Sequence, residues 1–480
     1  MSGDIIPSVE VNLTDTAKNN SEKDHASRLG TDSIGKLLLH YSLPAIIGMT
    51  ASSLYNVIDR IFIGNGVGPL AISGLALTMP LMILTVAFGA MIGAGASTMV
   101  SIRLGQNRYK DATNILGNTL ILNLMIGIAV TTIGLIFLDP ILVAFGASEA
   151  TLPYARDFMQ IILIANLFNH NFIGLNNVMR ASGYPQKAMW SSLLTVFVNI
   201  CLAPLFIFVF HWGIRGAATA TAIAQLCGFI WVMAHFMNKS SYLHFQKGYF
   251  KLKKHIVGDI LSIGLAPFLM NVGSSLIAMI VNISLAKYGG KHSDMAIGAY
   301  GIVNSIAMLF VMIVMGLNMG MQPIAGFNFG ARKNKRVRKV YKLTVVAATI
   351  VTTFGFAISM LFPTSIVSAF TNNAELIAQS KIALGYAMMM FPIIGFQMVS
   401  SNFFQSIGKA STAIFLSLSR QFLFLIPGLL IIPHYFGLNG VWMAIPTSDA
   451  LATLTTTLCV IKLIRKMREE EKIYLNTRHV

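Results

Sequence analysis

Long apolar stretches alternate with short polar segments from residue 34 to residue 462. A helix that crosses a bilayer needs roughly 20 mostly apolar residues. On that measure the pattern predicts twelve spans, near 34–63, 71–98, 112–137, 154–178, 188–210, 215–237, 256–287, 296–323, 343–362, 376–402, 412–433 and 438–462. The expected fold is all-α, a polytopic membrane protein of 12 transmembrane helices in two pseudo-symmetric six-helix lobes, 34–237 and 256–462. Residues 1–33 are polar and carry no apolar core, so they do not form a secretory signal peptide and read as a disordered cytoplasmic tail. Residues 238–255 form a basic linker on the cytoplasmic side, and 463–480 a second cytoplasmic tail.

Composition sharpens this picture. Only 11% of the 480 residues are charged and 55% are hydrophobic, against about 25% charged in an average soluble domain. The formal charge of +17 would suit a nucleic-acid binder, but its placement argues against one. Lys and Arg cluster in alternate short loops: Arg103, Arg108 and Lys110; Arg180 and Lys187; five lysines in the linker; seven basic residues between Arg332 and Lys342; Lys409; and the C-terminal tail. The other set of loops holds only Arg156, Arg215, Lys287 and Lys291. This asymmetry puts both termini in the cytoplasm, with the chain multi-pass in the membrane.

The two halves repeat. An offset of 225 lays Ala71-Ile72 on Ala296-Ile297, Gly95 on Gly320, Gly105 on Gly330, Ala144-Phe145 on Ala369-Phe370 and Asn177 on Asn402. Near the ends the offset slips, so that Pro44 meets Pro267 and Gly216 meets Gly440. Parallel repeats of this kind pack about an axis normal to the membrane, with a substrate path at their interface.

Against this apolar background the embedded polar residues are the candidate chemistry. Asp59 ends the cluster Tyr55-Asn56-Val57-Ile58-Asp59-Arg60 in the first span. A carboxylate at that depth is costly to ionise and is expected to face a protein cavity. Tyr55 and Asn56 precede it by one helical turn, so a hydroxyl, an amide and a carboxylate share a face, as a proton or ion site requires. The bland alternative is a solvated acid at the membrane interface. Arg60 points about 100° away and is expected to snorkel outward. Pro44, mid-span, removes a backbone bond and is a candidate hinge. Asn199 in span five could equally be interhelical glue. Asp449, mid-span in the last helix, is expected to pair with an amide, a hydroxyl or Arg420. Met308, Met312, Met315 and Met319 follow one helical face; flexible thioethers suit promiscuous binding, though core or lipid packing explains them as well. Met312 is the candidate cavity residue among them.

Several functions find no support in the sequence. There is no P-loop glycine-lysine signature, no nucleophile elbow, and no His or Cys spacing for a metal. Cys201, Cys227 and Cys459 fall within predicted spans and read as small packing residues. Neither an enzyme nor a nucleic-acid partner is expected.

These motifs together resemble the multidrug and toxic compound extrusion (MATE) family, close to its MepA-like branch. The resemblance covers roughly residues 34–465. It is carried by Tyr55-Asn56-Val57-Ile58-Asp59 with Pro44 upstream, by Leu104-Gly105-Gln106 and Phe327-Asn328-Phe329-Gly330-Ala331-Arg332-Lys333 as paired loop motifs, and by Gln322-Pro323, Gly440-Val441-Trp442, Pro446 and Asp449. It implies an antiporter that expels amphipathic, often cationic drugs and xenobiotics against entering protons or sodium, by alternating access of two lobes. It implies that Asp59 couples the cation, with Asn199 and Thr221 beside it, and that Tyr55, Asn56, Asp449 and Met312 face the substrate. No cofactor is expected beyond the coupling ion, H+ or Na+. Membrane lipid and small molecules are the expected partners of a monomer. Relatives often carry Asp four residues after the asparagine, where this chain has Ala203; a site short of one carboxylate leans toward protons. The rival readings are a flippase for a lipid-linked oligosaccharide or polyprenyl substrate, which should show more embedded cations than Arg60, Lys381 and Arg420, and a membrane scaffold that transports nothing.

Overall fold

The computed structural model describes residues 28–246, 248–290 and 293–476, and every regular element among them is helical. We label the main helices α1 (Ile34–Gly66), α2 (Pro69–Gly105), α3 (Tyr109–Ile136), α4 (Leu152–Ala181), α5 (Pro185–Pro204), α6 (Gly213–Met237), α7 (Lys254–Gly289), α8 (Ser293–Gly330), α9 (Asn334–Leu361), α10 (Ala374–Met389), α11 (Phe391–Ser406), α12 (Ala410–Leu418) and α13 (Ile426–Asn476). Among the described residues, ten helices are long and apolar enough to cross a membrane, or eleven with α10 and α11 taken as one span bent by 50°. The bend falls where Pro392 lacks an N–H for the ladder. This differs from the twelve spans predicted because the last two run together within Ala410–Glu471. Gly437 interrupts that run with φ 57° and ψ −136°, a conformation open to glycine. α5 and α12 each pass into a π-helical stretch, Leu205–Val209 and Ser419–Leu425.

Three apolar cores organise the bundle. One draws on both halves: Leu37, Ile92, Leu104, Ile115 and Phe236 from the first, Ile260, Leu317, Ile324, Val340 and Phe403 from the second. The other two do not mix. Ile63, Leu75, Phe158, Ala203 and Ala220 belong to a core built only from the first half, and Ile277, Val303, Leu384, Leu425 and Trp442 to one built only from the second. The shared core lies at the end where residues 28–33, the α2–α3 turn, the segment after α6 and the α8–α9 turn gather; we call this the basic end. The halves are welded there, and toward the opposite end each half packs on a core of its own.

Backbone contact makes the weld tight. A Cβ on Gly105 would run into the carbonyl of Phe327, and one on Gly330 into the carbonyl of Ile102. Both partners are 225 positions apart, so the contact is reciprocal, as at a twofold interface. Gly95 against the Ile260 carbonyl, Gly264 against Met91 and Gly320 against Ser42 extend the seam. On the axis itself, Gln322 Nε2 donates to Ser97 Oγ at 2.9 Å and Thr98 Oγ1 at 2.8 Å. Ser97 and Gln322 are also 225 apart, so the repeat read from sequence is a physical pseudo-symmetry here.

Part of the segment expected to be disordered is packed. Of the predicted tail, residues 1–27 lie outside the described residues, but 28–33 form a strap across the basic end. Leu29 is fully buried. Asn328 Nδ2 donates to the Leu29 carbonyl, Lys333 Nζ to that of Gly30, and Arg336 to those of Leu29, Thr31 and Asp32. The strap thus leads into α1 of the first half while its carbonyls are held by the second. The linker is fixed as well. Leu243 is buried, Phe236 and Phe245 meet at 5.8 Å, and Asn118 accepts from the Lys253 N–H while donating to the Lys251 carbonyl. Burial of the Tyr242 phenol, beside Tyr109, pushes its pKa up. Strap, linker and the two paired loops line a cavity of about 320 Å³. Arg336→Ala, which removes donors to three strap carbonyls, is expected to lower stability by ~1–3 kcal/mol. Thermal unfolding of the purified protein checks this; an unchanged midpoint would show the strap to be loosely held.

Candidate functional site in the cleft wall

α1 packs against α5 and touches α6, which brings the first-half candidates into one region. Asp59 is buried at 8% exposure, and its Oδ1 has no hydrogen-bond partner among the described residues. A buried carboxylate left without a partner is costly in its charged form, so a proton or a bound cation relieves it. Arg60 makes no ion pair with it among the described residues. It is exposed, with Nη2 directed to Met79 Sδ at 3.3 Å, consistent with its expected outward snorkel. Tyr55 is half-buried one turn before Asp59. The side chain of Asn56 lies outside the described residues.

Asn199 and Thr221 are both buried and joined across α5 and α6, with Asn199 Nδ2 donating to Thr221 Oγ1 at 2.9 Å. Among the described residues neither bonds to Asp59. Ala203 is fully buried in the same apolar core as Ile63, one turn beyond Asp59, so the place of the absent second carboxylate is dry and apolar. Pro44 lies inside α1 without ending it, buried at the level of the shared core, so bending there would move Asp59 relative to the weld.

The second half holds a different arrangement. Arg420 Nε donates to Asp449 Oδ1 at 2.6 Å; the Asp449 side chain is 1% exposed and that of Arg420 32%. Of the partners expected for Asp449, the structure selects Arg420. Along the face of Met308, Met312, Met315 and Met319, the first and third are exposed and the other two half-buried, while Met321, off that face, is fully buried.

Two readings from sequence need correction. Cys201 is exposed, so it is not a packing residue, because its face of α5 turns away from the bundle. Arg180 was placed in a basic loop but is buried at the end of α4, donating to Asn176 and Asn177. Sequence reasoning also passed over His170. It is fully buried, with Nε2 2.7 Å from the Thr85 carbonyl and Nδ1 unpartnered, near Asn123, whose amide also lacks a partner. Its position inside an apolar span was the available signal.

With this geometry in place, comparison with known proteins is decisive. The family model described as MatE matches residues 44–205 and 267–431, most of both halves. The chain belongs to the MatE family. Asp59, Asn199, Ala203 and Arg420 fall inside the matched segments, Thr221 and Asp449 outside them. Multidrug export protein MepA of Staphylococcus haemolyticus is 28% identical over 435 residues, 91% of this chain and 95% of that protein. Its namesake in Staphylococcus aureus (strain NCTC 8325 / PS 47) is 28% identical over 430 residues, 89% of this chain and 94% of that protein. Two solved structures share the MatE fold at 24% identity: MATE in the bent conformation, with a TM-score of 0.87 over 93% of this chain and 98% of that one, and an outward-facing multidrug resistance MATE transporter of the MOP superfamily, with 0.85 over 92% and 98%. The all-helical, multi-span membrane architecture expected from the hydropathy pattern is therefore that of the MatE transporters, which are not enzymes.

Proposed function

We propose that this protein is a secondary multidrug exporter of the bacterial cell membrane, exchanging amphipathic, often cationic small molecules for protons. The observation that carries this reading is a buried carboxylate, Asp59, whose Oδ1 has no partner among the described residues, one turn before Ile63 in the core that belongs to the first half alone. The relatives named as multidrug export proteins supply the substrate class. Protonating Asp59 removes the charge that holds a cationic drug, so drug and proton compete for one group. Pro44 lets α1 bend as that charge disappears. Release of the weld along Gly105 and Gly330 then opens the basic end, and closure of the opposite end completes the exchange. A dry Ala203 favours a proton over sodium, which needs several oxygen ligands. In this scheme both termini lie in the cytoplasm and the protein works as a monomer in lipid.

Ethidium efflux from transporter-deficient cells, under proton and sodium gradients imposed separately, tests the proposal. Efflux is expected to follow the proton gradient. Dependence on sodium alone would replace the coupling ion, and no efflux under either gradient would reject the exporter reading in favour of a flippase.

A further inference from the structure

We propose that Arg420 is an anion-accepting subsite of the substrate path, which holds the carboxylate of zwitterionic amphipathic substrates; this rests on the exporter reading above. The ion pair with Asp449 is only half satisfied. Arg420 uses Nε on Asp449 Oδ1, while Asp449 Oδ2 is buried and has no partner among the described residues. Neither terminal nitrogen of Arg420 makes a hydrogen bond among the described residues. A guanidinium held by Nε presents its other edge as a planar fork, the geometry that takes a carboxylate through two parallel bonds.

On the same stretch Phe415, Phe422 and Leu423 are the exposed apolar side chains, and Phe415 and Phe422 lie roughly opposite Arg420 around the helix. Likewise, Leu451, Leu454 and Leu458 carry the exposed face of α13, away from Asp449. Apart from Leu423, the exposed apolar side chains of both helices thus lie away from the Arg420–Asp449 pair. Gln421, its neighbour on the π-helical stretch, reaches Ser274 of α7 instead. A π-helical turn widens the spacing and re-aims side chains, a device common at functional sites.

Pseudo-symmetry gives the location. By the repeat offsets of 225 and 224, Arg420 corresponds to Thr195 on α5 and Asp449 to Gln225 on α6. These lie one helical turn from Asn199 and Thr221, both toward the basic end. The Arg420–Asp449 pair thus bridges the same two helices in its half that the Asn199–Thr221 pair bridges in the other, one turn deeper. One half offers a carboxylate, the other a guanidinium whose charge is offset by Asp449. A substrate carrying both charges has a partner in each half. The offset charge keeps the hold on an anion weak enough for release.

The dyes rhodamine 110, a zwitterion, and rhodamine 123, its methyl ester, differ only in the free carboxylate. Binding of each to the full-length purified protein is read by fluorescence anisotropy. Wild type is expected to prefer rhodamine 110, and Arg420→Lys to reduce that preference about tenfold. Because Arg420→Gln alone strands a buried carboxylate, the charge-neutral double variant Arg420→Gln/Asp449→Asn is the second arm, and its preference is expected to vanish. Equal weakening of both dyes would show a packing role and overturn the proposal, as would a wild type without preference. Displacement of rhodamine 110 by phosphatidylglycerol at equal concentration would reassign the fork to a lipid phosphate and overturn it too. Dye preference is read without a gradient, so its presence in a protein that shows no efflux would reject the exporter reading alone.

Discussion

Asp59→Asn is expected to reduce gradient-driven efflux at least about a hundredfold, equivalent to ~2.7 kcal/mol, while the protein folds normally. The substitution keeps the volume and a polar tip but removes the ionisable proton. Since Asp59 Oδ1 has no partner among the described residues, no ion pair with them is broken. An amide in place of an unpaired buried carboxylate is neutral to stabilising, so the unfolding midpoint should hold or rise. Efflux and thermal unfolding measured side by side separate coupling from folding. Retained efflux with an unaltered dependence on the proton gradient would remove Asp59 from the mechanism. A matching loss of stability would instead make it a structural acid.

Gly105→Ala and Gly330→Ala are expected to shift the protein away from the state closed at the basic end. Each new methyl would meet a backbone carbonyl of the opposite half, Phe327 or Ile102, which no side-chain rotation can relieve. Overpacking of this kind costs ~1–3 kcal/mol. The strain exists only while the seam is shut, so it acts as a population shift of about 5–150-fold. The second substitution should add little once the first has parted the seam. In a background with Cys201, Cys227 and Cys459 replaced, Ser101→Cys reports on the seam, because Ser101 is buried there beside Gly326. Its reaction with a membrane-impermeant maleimide applied at the basic end should accelerate in the glycine variants. An unchanged rate would mean that the seam is softer than its geometry indicates.

The hydropathy pattern carried most of the architecture, because a bilayer demands long apolar helices and punishes every exception. For the same reason Asp59 and Asp449 stood out at once: a carboxylate in an apolar run is visible without a structure. The family resemblance named Asn199 and Thr221 as neighbours of Asp59, but their bond to each other was not legible, since nothing local to either residue points to the other. The strap was hidden. Arg28, Gly30, Thr31, Asp32 and Ser33 read as solvated tail, yet the interactions that hold them engage backbone carbonyls, which composition does not register. The linker misled through its lysines, whose charges mask Leu243 and Phe245. Arg180 misled in the opposite sense: a basic residue at a helix end suggests water, and only the neighbouring asparagine amides reveal its buried place.

The bond between Gln322 and Ser97 has one more implication. Two identical polypeptides related by that axis could set only like against like there, serine on serine or glutamine on glutamine. A single continuous chain is free of that restriction. It can set an amide donor from one copy against hydroxyl acceptors from the other at the one place where the copies meet themselves. Fusing the halves thus did more than tether them: it allowed complementary chemistry on the axis that a self-matching pair is denied.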